Sequence, residues 1–372
     1  MNTSMMVRLR PLLGFGVAAV ALFVLAPAVL SDFRLNLLAR YLCFAIVAVG
    51  IGLAWGRGGM LTLGQGVFFG LGAYAMGLHM KLADAGPGRA PDYMPADTGW
   101  LPGWMEMFRS PVVTILAVVL LPAVVAAVLG LATFKRKVRG AYFAILSQAL
   151  AAAFATGIIV LGDFTNGTNG LNKFQAFFGY DLADPVNQRM LFFIAAGLLL
   201  VMVIIYRQLR VSRYGELLVA CRDSEERVRF LGYDPANVKT VAYVIAAMMA
   251  GVGGALFVPI VGIVTPQDVG IVPSIAMLIG VAIGGRTSLW GPALGAIGVA
   301  WAQTSLSESF PTFWIYFQGA MFMLVIAFLP GGVAGLLNWS RRRPDRSSPT
   351  GDPEPESDPN DLETVTTSKG VS

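Results

Sequence analysis

The chain has 372 residues, 56% of them hydrophobic and only 13% charged, with 43 glycines and a mean hydropathy of +0.66. A soluble domain carries about 25% charged residues, so this composition cannot cover a water-facing surface and marks an all-α polytopic membrane protein. A pI near 9.3 does not point to nucleic acid, because the basic residues punctuate apolar spans as topology signals. Two Cys, one His and six Lys leave little material for a metal site or a disulfide framework, and no cofactor is expected in this chain.

About ten spans are expected (eight to ten), since crossing the hydrocarbon takes about 20 apolar residues. They fall at 11–30, 36–55, 60–78, 112–134, 141–161, 190–206, 240–260, 271–285, 288–306 and 313–330. The 271–285 and 288–306 segments read as a pair of broken helices around 284–290. Arg8, Arg10 and the run to Ala26-Pro27-Ala28 share features with a signal peptide; the length of the run and the Pro favour its retention as the first helix. With the N-terminus inside, 20 of the 27 basic residues fall on the cytoplasmic side, so both termini are expected to be cytoplasmic. Residues 1–340 form the membrane domain, with a cytoplasmic loop at 207–239. The tail at 341–372 is rich in Pro, Ser, Asp, Glu and Thr and is expected to be disordered.

The spans as drawn hold no Asp, Glu or Lys and one Arg, Arg40, near enough to an end to snorkel. This argues against a proton pump, a carboxylate-ringed cation channel and catalysis, and favours an uncharged solute. Thr62, Gln65, Tyr142 and Gln148 are among the few polar side chains within the spans. They can replace water around such a solute without the expense of burying charge, or bond to neighbouring helices. Two Gly-rich stretches, 56–74 and 284–296, share a Gly-Arg turn followed by Thr/Ser-Leu and a small-residue helix. They are read either as close packing or as breaks that expose backbone to a solute path.

The 212–234 segment is organised despite being a loop. Ser212 can cap one short helix, and Asp223 with Glu226 resembles a capping box for a second that ends at Gly232. Val228, Phe230 and Leu231 are expected to supply its apolar contacts. No Gly-x-x-x-x-Gly-Lys occurs, so the chain has no P-loop of its own.

Several runs carry a family resemblance: Leu-Thr-Leu-Gly-Gln-Gly-Val-Phe-Phe-Gly-Leu-Gly-Ala-Tyr (61–74), Arg-Gly-Ala-Tyr-Phe (139–143), Gly-Thr-Asn-Gly-Leu (167–171), residues 222–236 and Val-Ala-Ile-Gly-Gly-Arg (281–286). Over about 36–337 the chain resembles the branched-chain amino acid family of ABC permeases, most closely the larger permease of urea importers. The resemblance implies a urea-importing subunit paired with a second permease, two cytoplasmic ATP-binding subunits and a periplasmic binding protein, in the bacterial inner membrane. ATP hydrolysis would lie in the partner subunits. It also places Asn169 on the solute path and makes Glu216, Arg222, Asp223, Glu226 and Gly232 the ATPase-coupling residues. Relatives carry an acid near Ala276 and Gly where this chain has Thr287. A branched-chain or other neutral amino acid is the alternative cargo, and an ATP-independent channel for a neutral solute is a further alternative.

Overall fold

A computed structural model describes residues 14–94, 101–138 and 140–309, with isolated positions between 316 and 332. The expected span at 313–330, for the most part, and the tail at 341–372 lie outside the described residues, as does Arg139. Nine helices occupy the other expected spans: α1 (Gly14–Val29), α2 (Asp32–Arg57), α3 (Gln65–Ala85), α4 (Pro111–Phe134), α5 (Ala141–Val160), α6 (Pro185–Val211), α9 (Pro235–Val261), α10 (Ile271–Gly284) and α11 (Gly291–Ser309). Between α6 and α9 lie α7 (Arg213–Asp223) and α8 (Glu225–Phe230). Five of these helices, α2, α4, α5, α6 and α9, are long and apolar enough to cross a membrane by length and composition.

Helix starts explain where the spans differ from expectation. Both α6 and α9 begin five residues before the first apolar run, at Asp184-Pro185 and Asp234-Pro235. In each, the Asp carboxylate accepts the backbone N–H two residues on, at 2.9 Å, and the Pro supplies a preset first helical residue. The third helix shifts the other way. Residues 58–64 are not helical, and α3 begins at Gln65 rather than at 60.

The centre of the bundle is α9, packed against α2, α3 and α4. Lipid offers no hydrophobic drive for helix association, so contact depends on small residues and tight packing. At Gly254 a Cβ would collide with the Phe69 carbonyl oxygen, and at Gly72 with that of Gly251; bare backbone brings α3 and α9 together. Rings fill the space beside them, Phe69 against Phe257 at 5.2 Å and Phe68 against Tyr243 at 5.4 Å between centroids. By contrast α4 and α5 turn Ile115, Leu120, Val124, Ile145 and Val160 outward, the pattern of a face that meets lipid or another subunit.

The two ends of the bundle differ. One gathers Arg57, Arg210 and Arg222, close enough to repel one another, with Arg286 stacked on Trp55 at 5.2 Å. The other holds Asp32–Arg189 and Lys81–Asp92 ion pairs and two short antiparallel pairings, β1 (Leu171–Asn172) with β4 (Ile263–Val264) and β2 (Ala176–Phe177) with β3 (Tyr180–Asp181).

From β4 the chain turns back into the bundle. Leu171, the partner of Val264, sits against Gly77, whereas Val269 sits against Gly70 and Gly66. Gly77 and Gly66 are eleven residues apart on α3, about 16 Å of axis. Asp268 and the start of α10 therefore lie well inside the bundle, and 263–270 is not the surface connection expected from its polarity. This corrects the expectation that no acidic residue enters the interior. The turn is held by Pro266 and by Asp268, whose carboxylate accepts both the backbone N–H and the hydroxyl of Thr265, at 2.9 and 2.7 Å.

Candidate solute path and coupling surface

The last six residues of α2, Gly52–Arg57, are wound as a π-helix, an irregularity that concentrates at functional sites. Gly59 then adopts φ +69°, and the chain runs extended to the start of α3. The orphan N–H groups at that start are met by other helices. Ser147 of α5 accepts from the Leu63 N–H at 3.0 Å, and Ser274 of α10 accepts from the Gly66 N–H at 2.9 Å. Both hydroxyls donate back to their own helices, Ser147 to the Ala144 carbonyl and Ser274 to the Gly270 carbonyl. The 56–66 stretch is thus a helix break clamped between two separate helices, and its glycines also allow close packing.

Thr62 and Gln65 lie in this break, each 1% exposed. Thr62 lies beside the Tyr243 hydroxyl, and both amide atoms of Gln65 are without a hydrogen bond among the described residues. A buried amide left unpaired forfeits its hydration without return, so Gln65 is a donor and acceptor that awaits a solute or water. Sequence reasoning also placed Tyr142, Gln148 and Asn169 on the path; Tyr142 and Asn169 are exposed, and Gln148 follows Ser147, which clamps the break. Tyr142 is 78% exposed on the outward face of α5, and Gln148 is half-buried on the same helix. Asn169 is exposed in the loop before β1, at the opposite end from the arginines.

The coupling segment folds as two helices. Ser212 caps α7, its hydroxyl accepting the Gly215 N–H at 3.3 Å. The second cap differs from expectation: Ser224, not Asp223, precedes α8, and no side chain caps it. Asp223 ends α7 instead and pairs with Arg222 at 2.9 Å. Gly232, at φ +85°, closes α8 as expected, with Gly232 N–H bonded to the Arg229 carbonyl and Tyr233 N–H to that of Val228. Inward, Leu218, Cys221 and Val228 are buried, the Tyr214 hydroxyl donates to the Val238 carbonyl at 2.7 Å, and Glu225 pairs with Lys239 at 2.5 Å. Burial pushes the Cys221 thiol above its ordinary pKa.

Outward, the surface is mixed. Glu216, Asp223 and Glu226 are exposed. Phe230 and Leu231, expected as internal contacts, project at 90% and 73% exposure, with Tyr233 beside them at 55%; only Val228 of the three expected residues packs inward. Arg222 joins this surface to the helix break. Its guanidinium donates to the Gly56 carbonyl at 3.1 Å, and its stem lies against Gly59, where a Cβ would come within 2.6 Å of the Arg222 Cγ. The two Gly-rich turns also meet here, for a Cβ at Gly56 would strike the Arg286 carbonyl.

One further feature escaped sequence reasoning. Arg40 is flanked by rings. Its guanidinium lies 5.7 Å from the Phe257 ring centre and 6.0 Å from that of Phe44, and it lines a cleft together with Asp268. The only advance signal was an Arg inside an apolar run.

Comparison with known proteins agrees with this architecture. Residues 33–329 match the family described as branched-chain amino acid transport system / permease component. The high-affinity branched-chain amino acid transport system permease protein LivM of Escherichia coli K12 is 26% identical over 355 residues, covering 86% of this chain and 74% of LivM. LivM of Salmonella typhimurium LT2 is 25% identical over 346 residues, with the same coverage of each chain. LivH of that organism, a permease protein of the same name class, is 29% identical over 131 residues, 34% of this chain and 41% of LivH. No solved structure matches. This chain is an integral membrane protein and belongs to the branched-chain amino acid transport system permease family.

Proposed function

We propose that this chain is the transmembrane permease subunit of an ATP-driven importer for branched-chain or other neutral amino acids in the bacterial inner membrane. The family match across 33–329 carries the reading. The cargo named for the LivM relatives favours an amino acid over urea, the cargo first expected. Urea would need only uncharged groups such as Gln65 and Thr62, and it would leave the charges of Arg40 and Asp268 without a role. A second permease completes the path, a periplasmic binding protein delivers solute at the Asp32–Arg189 end, and two ATP-binding subunits dock at the arginine-rich end. Both termini are then cytoplasmic.

In this reading α7 and α8 receive the ATPase. Phe230, Leu231 and Tyr233 present an apolar knob among charged residues, the mixture suited to a protein groove. Motion of α7 is transmitted through Arg222 to the Gly56–Gly59 turn and on to Thr62 and Gln65, because the guanidinium bond leaves little slack.

The test is uptake of labelled leucine by cells with and without the gene, with unlabelled leucine or urea as competitor. Gene-dependent leucine uptake that urea does not reduce is expected. Uptake blocked by urea and not by leucine would overturn the cargo. Leucine flux through the purified chain alone in liposomes would overturn the importer in favour of a channel.

A further inference from the structure

We propose that the cleft walled by α2, α10 and α11 binds a zwitterionic α-amino acid with an apolar side chain, Arg40 taking the α-carboxylate and Asp268 the α-ammonium. This rests on the amino-acid reading above and names the groups that recognise the cargo.

Two opposite charges line one cleft, yet neither has an ion pair among the described residues, with each other or with any third group. An unpaired charge inside a membrane bundle costs several kcal/mol and is kept mainly for function. Each is also held in a fixed pose. Two rings flank the Arg40 guanidinium and leave its forked donors, which match a carboxylate in geometry, without a hydrogen bond among the described residues. Asp268 spends Oδ2 on Thr265, so Oδ1 remains as an acceptor whose direction is set by the turn.

The other walls suit an aliphatic side chain. Phe44, Val272, Met277 and Val299 line the same space, an apolar wall against which an aliphatic side chain can pack. A neutral amide would leave both charges unpaired, which rejects it more strongly than any fit of shape. The cleft also reaches the helix break. Val272 and Met277 of α10 face it, while Ser274 on the same helix holds the Gly66 N–H. An occupant that shifts α10 therefore shifts the start of α3.

The test uses membranes carrying the assembled transporter with Val272→Cys at the cleft mouth, where Val272 is 54% exposed. The two native cysteines, Cys43 and Cys221, are buried and give little background. Saturating leucine is expected to slow maleimide labelling of the new thiol. Leucinamide, which lacks the carboxylate, and 4-methylpentanoate, which lacks the ammonium, are expected not to. Adding Arg40→Gln or Asp268→Asn should weaken protection by leucine roughly 10- to 100-fold, the value of one charge-assisted bond. Equal protection by all three compounds, absence of protection by leucine, or full protection in both variants would overturn the proposal. The two analogues need no second substitution, so a variant that fails to assemble does not shield it. Gene-dependent leucine uptake without protection would sink the cleft alone, whereas loss of that uptake would sink the cargo.

Discussion

Replacing Arg222 by Ala removes two contacts of unequal worth. The pair with Asp223 has side chains 36% and 61% exposed, and such solvated pairs contribute about 0–1 kcal/mol. The bond to the Gly56 carbonyl has a charged donor and a partly buried acceptor, and is worth about 1.5 kcal/mol. The loss is then about 1.5–2.5 kcal/mol. If these contacts exist in one transport state and not the other, the balance between states shifts about 10- to 70-fold. The assay is leucine transported per ATP hydrolysed by the purified complex in liposomes, alongside Arg222→Lys, which keeps the charge but loses the fork. Ala is expected to lower coupling about tenfold while the ATPase subunits still co-purify, with Lys intermediate. Coupling equal to wild type in the Ala variant would show that Arg222 holds Gly56 in every state and transmits nothing.

Four other outcomes follow from the geometry. Ser274→Ala orphans the buried Gly66 N–H and should lower the stability of the purified protein by about 1–3 kcal/mol, read from thermal unfolding. Gln65→Leu removes an amide that has no partner among the described residues; stability should hold or rise by about 1 kcal/mol while leucine uptake falls, and a loss of stability would mean the amide is bonded. Phe230→Ser should leave stability within about 0.5 kcal/mol, as for an exposed position, yet reduce co-purification of the ATP-binding subunits. Cys221, buried and with its thiol pKa raised, should be almost unreactive to maleimide at neutral pH and react faster as pH rises toward that pKa or on unfolding.

Much of the bundle was legible in advance because its signals are long. Apolar runs of twenty residues read directly as helices, and Ser212 and Gly232 announced the ends of α7 and α8. The misreadings share a cause, namely that short polar segments have no hydropathy of their own. Residues 263–270 look like an ordinary connection, and only the packing of Val269 against α3 shows that they re-enter the bundle. The Asp-Pro starts of α6 and α9 extend each helix into residues that hydropathy assigns to loops. The cap of α8 moved by one residue because Arg222 claims Asp223. At the candidate site, Thr62 and Gln65 could be found from their rarity in an apolar run. The direction in which Arg40 points depends on Phe257 of α9 as well as on Phe44 four residues along α2, and so the pairing of its cleft with Asp268 stayed hidden. Tyr142 carried the same local signal as Gln65 and is exposed instead.

The close approach of Gly56 to Arg286 bears on how such a protein can change over generations. The inner end of α2 and the turn between α10 and α11, far apart in the chain, touch through bare backbone with no side chain able to yield. A bulkier residue at position 56 would pry the amino-terminal and carboxy-terminal halves apart beside the contact that Arg222 makes with Gly56. The two turns are therefore bound to drift together or not at all, like the two leaves of a single hinge.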